Sequence, residues 1–352
     1  MTFWKDKKVL ITGHTGFKGS WLSLILLNWG CEVYGISLEP TEELNLFDSL
    51  NFEKDLNHNL IDIRNSELFK SKVKEIKPDI IFHLAAQPLV RDSYLTPVHT
   101  WEVNVNGTIN LLEAVRDLNY NSVAIFITTD KVYKNNEWIY GYREIDQLGG
   151  YDPYSSSKAA SEIAINSWRS SFLDDEIDNK TLIASARAGN VIGGGDWSKD
   201  RIIPDAIRAL NTNQTIKVRS PNSSRPWQHV LEPLFGYLNL AEKMYSNDYA
   251  LATSFNFGPR IESNKKVKDL IKEVLKIWEG KWQDISDTKN LHEANLLNLS
   301  YEKAFNYLNW QPKWDFEKTI EKTVHWYKKF YSGYSAMECC LSDLNSYLKT
   351  LD

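Results

Sequence analysis

Two groups of residues in the middle of the chain have side chains suited to proton transfer. They are Thr129, Asp130 and Lys131, directly after the β-rich run from Ser122 to Thr128, and Tyr154 with Lys158. Side chains four residues apart on a helix point the same way, so we expect the Lys158 ammonium to lower the pKa of the Tyr154 phenol and make it a base near neutral pH. Asp130 adds an acid and Lys131 a possible second base. Together they suggest a reaction more complex than simple dehydrogenation.

Each group also has a purely structural interpretation. An Asp-Lys pair after a strand is common in surface turns, and Tyr154 with Lys158 would suit the face of an amphipathic helix. The functional interpretation is favoured because ligands bind at the carboxyl ends of strands in open sheets. Small residues beside Tyr154 support it, since they let a cofactor approach the helix closely. These small residues are Ser155, Ser156, Ser157, Ala159 and Ala160.

A glycine-rich turn near the start predicts a dinucleotide site. The pattern Val9 to Thr12 predicts a short buried strand, and Phe17 to Trp29 predicts a helix. Between and overlapping them lie Gly13, His14, Thr15, Gly16, Phe17, Lys18 and Gly19. Glycines at this spacing allow a tight turn and a close approach of the backbone to a pyrophosphate, which the helix N-terminus attracts.

The residues after the second strand favour NAD over NADP. An acid there would bind the adenosine ribose, but Ser37 ends the strand and Glu39 comes two residues later, without an arginine cluster for a 2′-phosphate. His14 and Lys18 either donate to the cofactor or face solvent. Further cofactor contacts are predicted after the third and fourth strands. They are Asp62 and Ile63 near the adenine, and Leu84, Ala85 and Ala86 at a strand end.

Strand and helix patterns alternate through the first half of the chain. Further strands are predicted at 32–37, 79–84, 123–128 and 181–186, and helices at 66–76, 101–118 and 154–172. This alternation predicts an α/β fold, a Rossmann-type doubly wound parallel sheet with a smaller mixed α/β substrate-binding lobe. We assign residues 1–189 to the NAD-binding domain, with later strands returning to its sheet near 226–260. Residues 190–330 form the substrate lobe, and 331–352 a C-terminal tail that is a surface helix or an oligomer contact.

Composition excludes several other classes of protein. The chain has 352 residues, 42% of them hydrophobic and 25% charged, and a net charge of −5, which argues against binding to nucleic acid or an anionic membrane. Three cysteines and seven scattered histidines lack metal-ligand spacing, so we expect no metal site. The first residues contain no apolar signal core, and no run is long enough to span a bilayer, which points to the cytoplasm.

Longer segments extend these motifs into a family resemblance. They are 13–22, 83–86, 104–108, 129–133, 138–144, 149–155, 186–197 and 225–230, within a match from residue 8 to about 315. On these segments the chain resembles the extended short-chain dehydrogenase/reductase family of nucleotide-sugar enzymes. Within it, the chain is most similar to 4,6-dehydratases that act on CDP-glucose. Most sugar 4,6-dehydratases have an Asp-Glu pair where this chain has Asp130-Lys131, and the Asp-Lys pair is typical of the CDP-glucose branch.

The resemblance implies a redox-neutral dehydration with NAD. Tyr154 would take the proton of the sugar 4-hydroxyl as hydride leaves C4, and Lys158 would also hold the nicotinamide ribose. Asp130 would protonate the departing C6 hydroxyl, Lys131 would remove the C5 proton, and Thr129 would hydrogen-bond the C4 oxygen. Hydride return to C6 gives a 4-keto-6-deoxy sugar, for use in surface-polysaccharide synthesis such as lipopolysaccharide O-antigen.

Substrate contacts are predicted from the same resemblance. The candidates are Gln87, Arg91, Asn104, Asn190, Arg201, Arg225, His229 and His292. Asn104 is expected to support the site, Asn190 and Arg225 to bind the diphosphate, and the two histidines to line the nucleotide pocket or to be structural. Trp197 and Trp227 either stack on a base or belong to the core.

Three other functions remain open at this level. A 4,6-dehydratase of another nucleotide sugar or a heptose would share the mechanism, and no residue by itself selects cytosine. A nucleotide-sugar 4-epimerase would share Tyr154 and Lys158 but needs no acid for C6. A catalytically inactive dinucleotide-binding module would not need to retain the acid and base residues. Family resemblance also implies a homodimer or homotetramer.

Overall fold

The computed structural model describes residues 2–52, 55–173, 181–246, 248–286 and 296–351. Its main feature is a seven-stranded sheet in the order β11-β6-β5-β4-β1-β2-β3, in which every neighbouring pair is parallel. The strands are β1 Lys8–Thr12, β2 Glu32–Ser37, β3 Asn57–Leu60, β4 Ile80–His83, β5 Ser122–Ile127, β6 Thr181–Ala188 and β11 Ser254–Phe257. The order reverses between β1 and β4, which opens a crevice at the carboxyl ends of the strands. The predicted Rossmann-type fold is confirmed.

Alternating side chains give the sheet a core on each face. In β1, Val9 and Ile11 belong to one buried cluster and Leu10 to the other. Because both faces are covered, the apolar residues of β1, β4 and β5 form continuous runs, at 9–11, 80–82 and 123–127, rather than alternating with polar ones. The helices that cover the faces and complete the lobe are α1 Phe17–Asn28, α2 Leu46–Leu50, α3 Ser66–Ile76, α4 Val90–Leu95, α5 Pro97–Trp101, α6 Gly107–Arg116, α7 Pro153–Phe172, α8 Ile202–Asn211, α9 Leu231–Tyr245, α10 Val267–Ile277, α11 Glu302–Leu308, α12 Phe316–Tyr331 and α13 Ala336–Leu348.

Two predicted elements differ from the structure. No bounds were predicted for β3, the third strand that precedes Asp62, because its sequence Asn-His-Asn-Leu is polar and it occupies the edge of the sheet. The single helix predicted over 101–118 is instead α5, a five-residue π-helical segment at Glu102–Asn106, and α6. π-Helical turns are rare and often lie at functional sites. This one carries Asn104.

Short strand pairs extend from the carboxyl-end side of the sheet. They are β7 Val191–Ile192 with β10 Gln228–His229, β8 Ile216–Val218 with β13 Trp282–Asp284, and β9 Ser224–Pro226 with β12 Asn264–Lys266. Their buried residues join the core cluster on the α1 face of the sheet. The inner face of α13 is buried in the same cluster, through Cys340, Leu344 and Tyr347, so α13 is not merely a surface helix. Among the described residues, none of the helices combines the length and apolarity needed to cross a membrane.

Candidate active site

The glycine-rich turn brings the ends of β1 and β4 together. Gly13 has φ of +76°, and a Cβ there would lie 2.7 Å from the backbone nitrogen of Ala85. A Cβ on Gly19 would lie 2.1 Å from the carbonyl oxygen of Gly13, so only glycine lets α1 start so close to the strand. A Cβ on Gly16 would meet only the Gly13 oxygen, at 3.4 Å, and no side chain caps α1 there. The turn therefore presents an open helix N-terminus to the crevice, which suits an anion.

His14 and Lys18, both within the turn, point in different directions, and only His14 departs from the two predicted positions. The His14 ring is buried against Gly35 and Phe47, with its Nε2 2.6 Å from Nδ1 of His58. Burial and the neighbouring His58 lower the pKa of His14 to about 3, so it is a neutral core residue. Its side chain neither contacts the crevice nor faces solvent.

Lys18 instead lies among the charged groups of the crevice. Burial lowers its pKa to about 7, helped by the positive charges of Arg201, Lys158 and Lys131 and opposed by the Asp130 carboxylate. Its Nζ is 6.0 Å from the centre of the Tyr237 ring. The side chain therefore adds positive charge to the space where the sequence predicts the proton-transfer groups.

The Asp130-Lys131 dyad sits at the carboxyl end of β5, in a short 3-10 helix at Asp130–Val132. The Asp130 side chain is 1% exposed and accepts hydrogen bonds from Thr129 Oγ1 at 2.9 Å and Lys131 Nζ at 3.4 Å. Lys131 is 26% exposed, and its Nζ also lies 3.4 Å from Oδ1 of Asn190. A Cβ on Gly189 would lie 2.9 Å from Oδ2 of Asp130, so that glycine makes room for the carboxylate. The acid is enclosed and the lysine reaches solvent.

Tyr154 and Lys158 lie on α7 with their side chains buried beside the dyad. Burial raises the pKa of Tyr154 to about 12. A hydrogen bond with Thr129 and the charge of Arg201 lower it, and Asp130 raises it. Burial lowers the pKa of Lys158 to about 8, and the Glu162 carboxylate opposes that change. The pKa of the phenol is therefore raised and not lowered as predicted, because burial is the largest influence on it. The Nζ of Lys158 lies 3.4 Å from the carbonyl of Ile127.

Asn104 joins α7 to the end of β4 instead of facing the ligand space. Its Oδ1 accepts from the backbone of Gln87 at 2.8 Å, and its Nδ2 donates to the Gln87 carbonyl at 3.2 Å and to Ser157 Oγ at 2.9 Å. The Gln87 side chain is also satisfied internally, by Thr100 and Leu89. Both residues support the site, and their prediction as substrate contacts is not supported by this geometry.

Of the arginines predicted to contact substrate, Arg201 and Arg225 belong to the predicted lobe, and Arg91 on α4 pairs with a lobe residue. Arg201 makes a 3.0 Å ion pair with Asp196 and lies close enough to Tyr154 to affect its pKa. Arg91 pairs with Asp200 at 3.2 Å, a carboxylate that it shares with Arg219. The guanidinium of Arg225 donates to the carbonyl of Ser224 at 2.8 Å.

The structure places one of the two histidines of the same prediction, and both tryptophans, in the core. His229 is fully buried, 4.8 Å from the Trp314 ring, and burial lowers its pKa to about 3, so it is a core residue and does not line a nucleotide pocket. His292 lies outside the described residues. Trp197 packs in an aromatic cluster with Trp326, and Trp227 donates to the carbonyl of Lys265, so both belong to the core.

Of the residues predicted to lie near the adenine, Asp62 already has an ion-pair partner. The Asp62 carboxylate accepts from the guanidinium of Arg64 at distances of 2.6 to 3.1 Å, and Ile63 packs where a Cβ of Gly107 would lie. In place of an acid at the end of β2, Ser37 Oγ lies 2.7 Å from the hydroxyl of Thr15. The sequence has no carboxylate at the end of β2, and two hydroxyls lie there instead.

Four residues of the site were given no role in the sequence analysis. Gly189 and Asp196 lie in the glycine-rich segment after β6, but their partners come from distant elements. Glu162 and Arg187 form a buried ion pair of 2.7 Å behind the dyad. The spacing of Glu162, four residues after Lys158, is a signal that the sequence carried, since it places both on one side of α7.

Comparison with known proteins identifies the family. A family model described as GDP-mannose 4,6 dehydratase matches residues 10–323. The CDP-glucose 4,6-dehydratase of Salmonella typhimurium is 42% identical over 349 residues, covering 98% of this chain and 97% of that protein. The chain belongs to the nucleotide-sugar 4,6-dehydratase family. The resemblance inferred from the motifs is thereby confirmed, and the family's members are hydro-lyases.

Solved structures of the family and its neighbours share the fold. The dTDP-glucose 4,6-dehydratase of Bacillus anthracis, solved in complex with NAD, has a TM-score of 0.78 and 20% identity, covering 93% of this chain and 98% of that one. The UDP-glucose 4-epimerase of Thermotoga maritima, solved with UDP-glucose, also has a TM-score of 0.78 and 20% identity, covering 92% and 99%. Because a dehydratase and an epimerase superimpose equally well, the fold alone does not select the reaction.

Proposed function

We propose that the protein converts CDP-glucose to CDP-4-dehydro-6-deoxy-glucose, with NAD as a cofactor that is reduced and reoxidised in each turnover. The observation that carries the proposal is the position of Asp130 and Lys131. They stand at the end of β5, beside Tyr154 and Lys158 and facing the glycine-rich turn. This arrangement supplies separate groups for alcohol oxidation and for elimination.

The crevice fits a dinucleotide. The open N-terminus of α1 at Gly16 would hold the pyrophosphate, and the half-exposed strand end at Ala85 and Ala86 would lie along the cofactor. Ser37 and Thr15 would face the adenosine ribose, with Asp62 and Ile63 near the adenine. When bound, NAD would accept hydride from the sugar and return it to the same sugar.

Tyr154 would begin the reaction by taking the proton of the sugar 4-hydroxyl. Burial raises the pKa of the Tyr154 phenol, and positive charge nearby would lower it again. The Lys158 side chain contacts the carbonyl of Ile127 on β5, which holds it in place. Its ammonium would supply part of the positive charge. Thr129 would hydrogen-bond the C4 oxygen as it becomes a carbonyl.

The dyad would then carry out the elimination. Oxidation at C4 makes the C5 proton acidic, because the electrons left behind are delocalised as an enolate. We assign removal of that proton to neutral Lys131, and protonation of the C6 hydroxyl to the protonated form of Asp130, so that the C6–oxygen bond breaks and water leaves. Transfer of one proton from Lys131 Nζ to Asp130 Oδ1, which lie 3.4 Å apart, gives both forms. The proton that Tyr154 took from the 4-hydroxyl replaces the one that the dyad gives up. Hydride then adds to C6 and a proton returns to C5. The enclosed carboxylate suits an acid that must not exchange freely with solvent.

The rival functions predict different outcomes for the same site. A 4-epimerase would use Tyr154 and Lys158 but would leave Asp130 and Lys131 without a role. The choice of CDP over other nucleotides rests on the similarity to the Salmonella protein and not on a base-reading residue. We therefore test reaction and substrate together.

The test is a panel of CDP-, dTDP-, GDP- and UDP-glucose incubated with the protein and NAD. We expect a 4-keto product from CDP-glucose, without net accumulation of reduced cofactor. Deuterium placed at C4 should appear in the methyl group of the product. Turnover of another nucleotide sugar alone would keep the mechanism and replace the substrate, whereas exchange of configuration at C4 without a methyl group would indicate an epimerase.

We also propose a cytoplasmic homodimer or homotetramer. In support, the apolar side chains of Leu95, Val98 and Ile163 are exposed on α4, α5 and α7, which contact one another. Exposed apolar side chains on helices that pack together are typical of an interface. Light scattering should give a dimer or tetramer, and Val98→Asp should shift it toward a monomer. A monomer at all concentrations would refute this part.

A further inference from the structure

Behind the dyad, a carboxylate that the proposed reaction does not use is buried among hydrogen-bond donors. Glu162 lies on α7, four residues after Lys158, and its side chain is 1% exposed. Oε1 accepts from Thr128 Oγ1 at 2.5 Å, and Oε2 accepts from Ser185 Oγ at 2.8 Å and from Arg187 at 2.7 Å. The carboxylate therefore joins α7, the end of β5 and β6.

Arg187 extends this connection to the far side of the dyad. While one nitrogen pairs with Glu162, the other donates to the hydroxyl of Tyr133 at 2.8 Å and to the carbonyl of Glu144 at 3.2 Å. The Tyr133 hydroxyl donates in turn to Oδ1 of Asn256 at 2.7 Å on β11. All these side-chain partners are enclosed by protein, where low polarity strengthens their hydrogen bonds.

The pair thus holds the chain on both sides of Asp130 and Lys131. Thr128 precedes the dyad and is bound by Glu162, and Tyr133 follows it and is bound by Arg187. Tyr154 and Lys158 lie on the helix that carries Glu162. We infer that Glu162, through Arg187, is a positioning residue that fixes the elimination dyad relative to the Tyr154-Lys158 pair and keeps the Lys158 side chain charged. This inference rests on the proposed function.

The charge of Glu162 supports the second part. Burial raises the pKa of Glu162, but Arg187 and the hydroxyl donors outweigh it, and its pKa lies below the ordinary value. The other charged or titratable groups that affect or face Lys158 are Lys18 on α1, His83 on β4 and Tyr154 on α7, and burial together with Lys158 lowers the pKa of His83 to about 3. Glu162 is therefore the anion that opposes the loss of the Lys158 proton.

The first test is Glu162→Gln, which keeps an oxygen for Thr128 and removes the charge. The matched control is Glu232→Gln, which changes a carboxylate that is equally buried, on α9, and bonded to Lys313, Trp314 and Tyr347. We expect the alkaline limb of the kcat/KM profile to move toward lower pH by about one unit in the Glu162 variant only, because Lys158 loses its proton more easily. Identical profiles for the two variants would overturn the electrostatic part.

The second test removes single hydrogen bonds and leaves the ion pair in place, in case Glu162→Gln does not fold. Thr128→Val and Tyr133→Phe loosen opposite sides of the dyad. Each should slow elimination by about tenfold or more while oxidation at C4 continues, so reduced cofactor should accumulate in single turnovers. Unchanged partitioning between oxidation and elimination in both variants would overturn the positioning part.

The unmodified enzyme separates failure of this inference from failure of the proposed function. If it converts no nucleotide sugar, the proposed function fails before any variant is compared. If it converts one normally and the Glu162, Thr128 and Tyr133 variants retain its pH profile and partitioning, only the positioning role is wrong.

Discussion

Two buried carboxylates in this protein receive similar numbers of hydrogen bonds and reach opposite ionisation behaviour. Glu162, behind the dyad, is paired with Arg187, and its pKa is lower than usual despite burial. Glu232, on α9, accepts from the backbone of Lys313 and Trp314 and from the Tyr347 hydroxyl. Burial raises the pKa of Glu232 to about 7, and no cation within the described ranges lies at ion-pairing distance.

The difference teaches what each carboxylate can do. A carboxylate that remains ionised supplies a constant charge, so Glu162 is able to act on Lys158 across the working pH range. A carboxylate held only by neutral donors is protonated at moderate pH, so Glu232 fastens α13 and α9 together in a way that depends on pH. The first region therefore uses buried polarity for catalysis, and the second uses it for stability.

The largest predicted effect follows from Tyr154→Phe in the catalytic region. Without the phenolic oxygen no group takes the 4-hydroxyl proton, so we expect oxidation at C4 to fall by about 10² to 10⁴-fold. Thermal unfolding should change little, because the ring remains in its buried position. Single-turnover formation of reduced cofactor measures the step. Oxidation at the normal rate would remove Tyr154 from the reaction.

Substitutions in the dyad should divide the reaction. With Lys131→Ala or Asp130→Asn, oxidation should begin and elimination should slow by about 10²-fold, because one proton-transfer group is lost. Trapped reduced cofactor and release of little methyl-bearing product would show this division. Full turnover by Lys131→Ala would show that another group removes the C5 proton. Lys18 would then be the next candidate, because it lies in the same crevice.

Sequence patterns predicted the parts of this molecule that depend on local chemistry. The apolar strands, the glycine spacing and the four-residue interval from Tyr154 to Lys158 each report on backbone geometry within a few residues. Contacts across the sheet were not predictable in this way. Thr128 and Arg187 become neighbours only through the pairing of β5 with β6, and Arg187 meets Tyr133 only once that sheet is formed.

The same limit explains the wrong side-chain predictions. His14 follows a glycine of the turn, as a cofactor-binding residue would, but Gly35 on the neighbouring strand leaves a space that its ring fills. His229 lies in a segment typical of the family, yet Trp21 and Trp314 enclose it. The local sequence around a histidine does not show that a glycine on another strand leaves space for its ring. Nor does it show that a distant tryptophan packs against that ring.

In the C-terminal region, Glu232→Gln should change stability as a function of pH. A carboxyl whose pKa is higher in the folded protein stabilises the fold below its unfolded value of 4.5, and this contribution is lost as the pH rises through about 7. The shift corresponds to about 3 kcal/mol. Relative to the variant, the unmodified protein should therefore lose about that much free energy of unfolding from acid to neutral pH. A constant difference between the two would show that Glu232 does not titrate in this range.

Tyr347→Phe should have the smallest effect and the most specific one. The Tyr347 hydroxyl donates to Glu232 at 2.6 Å and lowers the pKa of that carboxyl, so its removal should cost about 1 kcal/mol and move the loss of stability to higher pH. Tyr237→Phe is the matched control, since its buried hydroxyl has no hydrogen-bond partner in the described part of the chain. Denaturant unfolding at several pH values measures both variants. Catalysis in the Tyr347 variant should be unchanged, because α13 packs mainly against α12 and α2. A changed pH profile of activity would mean that the two regions are coupled.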